Sequence, residues 1–159
     1  MSLFSPLAKA IAEQLIAGQK VDGTFSLPAT IEHPLDDLRA DEDLKVLRVD
    51  VLIGDKKCEP ADRARQSNRL RMDVVVRKKI TSVRNSLEER EEVDGLLAYT
   101  EQLDDFLSDP ANRRLSSFSW AEWENSETVI PYSPWRLRQD RLFYSVFRLE
   151  YSVFTPLDS

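Results

Sequence analysis

Two stretches of the chain alternate apolar and polar residues with the two-residue period of a half-buried strand. Between Leu44 and Ile53, the residues Leu47, Val49, Val51 and Ile53 alternate with Arg48, Asp50 and Leu52. A polar stretch from Gly54 to Asn68 follows. Then Leu70, Met72, Val74 and Val76 point one way while Arg71, Asp73, Val75 and Arg77 point the other. The pattern predicts an antiparallel hairpin whose tip is a long polar loop at 54–68. Such a tip has no apolar staple, so it is expected to be mobile in an isolated subunit and ordered against a partner.

Helical spacing governs two other regions. Leu7, Ala10, Ile11, Gln14 and Leu15 share one face of a helix expected at Ser5–Ala17, with Ser5 as N-cap and Gly18 as a left-handed stop. Val93, Leu96, Leu97, Thr100, Leu103 and Leu107 form the stripe of a longer helix that begins at Ser86. Ser86 and Glu89 have capping-box spacing, and the acids after them suit the positive end of the helix dipole. An edge strand broken by Pro28 is expected around Phe25–Ile31. Further strands are expected at Leu115–Trp123 and Leu142–Phe154, separated by a loop or short helical turn at Pro131–Gln139. Together these elements predict one α+β domain over residues 1–159: a mainly antiparallel sheet covered by an N-terminal helix and one long central helix.

Composition narrows the function classes. The chain has 159 residues, enough for one ordinary core. Its net charge of −6 disfavours general binding to nucleic acid and to anionic membranes. No apolar run approaches the ~20 residues of a membrane span. The amphipathic start lacks a secretory leader, and a single cysteine cannot form an internal disulfide, so a cytoplasmic protein is expected.

Candidate chemistry is sparse. His33, the only histidine, precedes Pro34 beside a run of acids and reads as a turn residue. Cys58 follows Lys56 and Lys57 but has no histidine nearby in sequence. The four glycines are scattered, so there is no phosphate loop. Asp50 and Asp73 on paired strands suggest a metal nuclease, yet Val74 and Val75 stand where that chemistry wants an acid-x-lysine. No catalytic, metal or cofactor site is expected. Among the aromatics, Phe118 and Trp120 share a strand period and read as core, whereas Trp123 and Trp135 read as interface anchors.

Charge separation is the more informative feature. Residues 54–71 hold six cations (Lys56, Lys57, Arg63, Arg65, Arg69 and Arg71) against three acids, a net +3. Residues 86–109 hold nine acids, including Glu91, Glu101 and Asp105, against Arg90 alone, a net −8. Opposite patches on one molecule suit head-to-tail association, which closes into a ring when the rotation permits.

The order of elements resembles the tail-terminator (tail-completion, or minor tail) proteins of long-tailed bacteriophages. The resemblance runs through the opening helix Ser5–Ala17, the hairpin Leu44–Ile53 and Leu70–Ile80, the helix Ser86–Leu107 and the closing strand Leu142–Tyr151. It implies a non-catalytic subunit of a ring, commonly of six copies, that caps the tail tube and offers a surface for joining the head. The implied partners are further copies of the chain, the tail tube and head-completion proteins. The implied location is the cytoplasm during assembly and the virion tail afterwards. A cytosolic, non-enzymatic adaptor using Trp123 and Trp135 as anchors is the alternative.

Overall fold

The alternating segments lie at the centre of one sheet. In the computed structural model, which describes residues 2–156, the strands are β1 (Thr30–Glu32), β2 (Arg48–Pro60), β3 (Arg65–Lys79), β4 (Glu122–Ile130) and β5 (Leu142–Pro156). Their spatial order is β1-β2-β3-β5-β4. β1 runs parallel to β2, and every other pair is antiparallel. The helices are α1 (Phe4–Gln19), α2 (Leu87–Ser108) and the short α3 (Pro134–Asp140). The fold is α+β with a mostly antiparallel sheet.

One sheet face meets α1 and α2. Val49 and Val51 of β2, Val74 and Val76 of β3, and Phe147 and Leu149 of β5 pack there with Leu7, Ile11 and Leu15 of α1 and Leu96, Leu103 and Leu107 of α2, all buried. Full burial of each large aliphatic contributes about 1.5–3 kcal/mol. Ser86 caps α2 by accepting from the Glu89 N–H at 3.1 Å. The reciprocal bond differs from a simple capping box, because the Glu89 carboxylate accepts from Asn85 N–H at 3.4 Å.

Gly18 lies inside α1 and is not a left-handed stop. A Cβ there would come within 2.7 Å of the Phe106 ring, so its role is to let α1 approach α2. The helix begins at Phe4 after Leu3, with no side-chain cap, which places Ser5 and Pro6 in the first turn.

The opposite face is covered at one end only. Leu44, Val75, Leu142, Tyr144 and Val146 form a second apolar cluster there. Beside it lies Asp50, fully buried and held by two arginines. Arg39 donates to its carboxylate at 2.5 and 3.1 Å, and Arg77 donates at 2.6 Å. Arg77 also donates to the Asp37 carbonyl, so this network straps the acidic segment 36–43 onto the sheet.

Several elements depart from the sequence expectation. The expected loop at 54–68 is mostly strand: β2 continues to Pro60 and β3 starts at Arg65, leaving only 61–64 as a turn. β3 continues its ladder with β5 from Arg65↔Pro156 to Lys79↔Leu142, so the tip is one end of a three-stranded ribbon with β3 in the middle. The early edge strand is confined to Thr30–Glu32, beyond Pro28. Residues 115–121 are turns, and the strand expected there begins later, at Glu122. Phe118 is buried as expected, but Trp120 is 71% exposed, because no sheet forms to cover it. No helix among the described residues is long and apolar enough to cross a membrane.

Candidate functional site

In the ribbon, β2 brings no buried apolar side chain, and Leu70, Tyr151 and Val153 of β3 and β5 link it to the core. Asn68 is its staple: its amide donates to the Val153 carbonyl and the Thr155 hydroxyl, each at 3.0 Å, and its oxygen accepts from Cys58 Sγ at 3.2 Å. One buried side chain therefore ties β2, β3 and β5. At the turn, Asp62 accepts from the N–H groups of Ala64 and Arg65, both at 2.8 Å. Those backbone bonds and the Arg65 side chain hold its carboxyl below the usual range.

Most of the ribbon's positive charge is answered internally. Lys57 pairs with Glu59 at 2.9 Å, Arg65 with Asp62 at 2.8 Å, Arg69 with Glu150 at 3.6 Å and Arg71 with Asp55 at 2.5 Å. The Arg71 guanidinium lowers the pKa of Asp55, and the Lys57 ammonium does the same for Glu59. Lys56 and Arg63, both exposed, have no carboxylate partner among the described residues. The basic patch expected from sequence is therefore concentrated on these two side chains.

The acidic surface is larger than the sequence implied. Glu91, Asp94, Ala98, Glu101 and Asp105 recur at helical spacing along the exposed stripe of α2. None of its four carboxylates has a cation partner within the described residues. The fold then sets β4 beside this helix, with Ser108 and Ser126 hydroxyls 3.4 Å apart. Exposed Glu122 and Glu127 sit opposite Ser152 and Arg148 of β5, on the sheet face away from α2, and with exposed Glu124 they add acidic charge to the β4 edge without continuing the α2 stripe. Sequence reading missed them because only tertiary packing joins β4 to α2.

The two tryptophans expected as anchors separate. Trp135 is 66% exposed at the start of α3. Trp123 is half-buried against the core, with the Arg113 guanidinium 4.1 Å from its ring centroid, so it is placed as a packed residue rather than a projecting anchor. The chemistry-bearing candidates are dispersed. His33 is exposed, Cys58 donates to Asn68, Asp50 is occupied by Arg39 and Arg77, and Asp73 accepts from Arg148 at 2.8 Å. Among the described residues no three His, Cys, Asp or Glu side chains converge as metal ligands.

The charged surfaces thus sit at opposite edges of the sheet. β4 is one edge strand. On the other side, β1 covers only Arg48–Asp50 of β2, so the length of β2 that carries Lys56 is open. No protein-family model and no curated protein sequence matches the chain.

Proposed function

We propose that this chain is a structural assembly subunit that joins copies of itself head to tail into a ring, and that the ring caps a bacteriophage tail tube and joins it to the head. The observation that carries the ring is the pair of oppositely charged sheet edges. The open β2 edge and the turn present Lys56 and Arg63, while the β4 edge and the outer stripe of α2 present unpaired carboxylates. Different surfaces meeting in one joint make a heterologous contact, the kind that closes into rings. The tail assignment draws on the order of elements: an opening helix, a long hairpin, a long helix and a closing strand. Under this reading the subunit assembles in the cytoplasm and ends in the virion tail.

Sedimentation of the unaltered protein across a salt series tests the ring. A discrete oligomer at low salt should shrink as rising salt screens the joint. A monomer at high concentration and low salt would remove the support for a self-assembled ring. Arg65 and Arg69 are poor sites for charge reversal, since a glutamate there would face Asp62 or Glu150 within its own ribbon. Lys56 and Arg63 are the cleaner pair.

The adaptor reading draws on the exposed Trp135, a large aromatic on a projecting helix. An adaptor would keep a monomer's native mass at every salt concentration.

A further inference from the structure

A groove lies at the end of the molecule away from the ribbon, between the first turns of α2 and the short α3. Two adjoining clefts, of about 260 Å³ and 440 Å³, share Asn85, Glu89, Tyr132 and Leu137 in their linings. The resulting groove has an apolar floor of Tyr132, Leu137 and Leu97 and a rim carrying Arg84, Arg138 and Arg90. These three arginines are exposed and have no carboxylate partner among the described residues. Arg84 reaches to α3 and donates to the Arg138 carbonyl at 2.6 Å, which brings two cations to one end of the groove.

Other charges nearby are already engaged or stand apart. Glu89 is paired with Arg141, which keeps its carboxyl below the usual range. The Arg136 guanidinium stacks 4.2 Å from the Tyr144 ring centroid. Glu88 and Asp140 are exposed, and Asp94 lines the far end of the second cleft. The groove is therefore cationic at the Arg84–Arg138 end and acidic at the other. Trp135 lies one helical turn from Arg138, on the same side of α3, and adds an exposed aromatic to the cationic end.

We propose that this groove docks an acidic segment of a partner protein, with an apolar side chain on the Tyr132–Leu137 floor and carboxylates on Arg84 and Arg138. An apolar floor under an arginine rim matches such a segment better than a polyphosphate, which has no apolar group to place on Tyr132, Leu137 and Leu97. A second copy's acidic stripe is a poorer fit, because its exposed non-acidic member is only Ala98. The site stands apart from the basic side of the ring joint, Lys56 and Arg63, and borders its acidic side at Asp94.

The test uses the full chain with three fluorescein-labelled probes: a peptide of alternating glutamate and leucine, the same peptide with glutamine for glutamate, and a DNA duplex. The glutamate peptide should bind most tightly, and its affinity should fall about tenfold in an R84E/R138E variant. It should be unchanged in K56E/R63E. Equal binding of the glutamine peptide would overturn the proposal, and that comparison needs only the unaltered protein. Tighter binding of the duplex would make the surface a phosphate site and also overturn it. So would an R84E/R138E variant that folds, by circular dichroism, and binds as before, or the absence of any peptide binding.

Discussion

The two ends of the β2–β3 hairpin are built on different principles. Under α1 and α2, Val49, Val51, Met72 and Val74 are wholly buried, and apolar packing fixes the strands. Beyond Ile53, every residue of β2 is exposed, and the ribbon is held by its backbone ladder, the Asn68 staple and ion pairs. The comparison shows that β2 can persist where it brings no buried apolar side chain, provided β3 and a third strand complete the ladder and polar side chains bridge the strands. β5 supplies that third strand. The division also separates tasks: one end stabilises the fold, and the other is free to carry charge.

Breaking the covered end should have the largest effect. Asp50→Asn removes the counter-charge of two arginines in a buried site and should cost about 3–5 kcal/mol, read from urea unfolding. Leu96→Ala should cost about 2–5 kcal/mol by the same measurement, from lost burial and the cavity left behind. A loss below ~1 kcal/mol in both would show that the core does not lie where the packing puts it.

The ribbon should answer differently. Asn68→Ala removes the staple and exposes its partners' unmet needs, so it should cost about 1–3 kcal/mol. Amide exchange should quicken chiefly in residues 56–69 and 152–156 while the helices stay protected. Acid should sharpen the contrast. Asp55, Glu59 and Asp62 have lowered pKa values, so their contribution is present above the ordinary carboxylate range and is lost as pH falls through the lowered values. Ribbon amides should therefore lose protection in that acid window before the covered strands do. The smallest effect on stability is expected for K56E/R63E, within about 0.5 kcal/mol, since both side chains are solvated.

This contrast also marks what the sequence could reveal. Period-two alternation requires one buried face, so it exposed Leu47–Val51 and Leu70–Val76 and fell silent at 54–68, where the residues are polar on both faces of the chain. The helix stripes were legible for the same reason, and the Ser86 cap was legible because capping depends on local spacing. Trp120 misled because its period with Phe118 imitates a strand in a segment that turns. At the candidate surfaces, the acids of α2 were visible as a run in sequence. Glu122, Glu124 and Glu127 come to the same edge of the sheet only through tertiary packing, and the pairing of Arg69 with Glu150 depended on a ladder that charge counting cannot see.

A charge exchange between two variants tests whether opposite edges of the sheet join neighbouring copies. One carries K56E and R63E, so that its ribbon is acidic. The other carries E91K, D94K, E101K and D105K, so that its α2 stripe is basic. Each alone places like charges across the joint and should sediment as a monomer at low salt. Mixed in equal amounts, they present complementary edges, and the account predicts that the wild-type oligomer size returns. An oligomer in either variant alone, or two folded variants that stay monomeric when mixed, would contradict it.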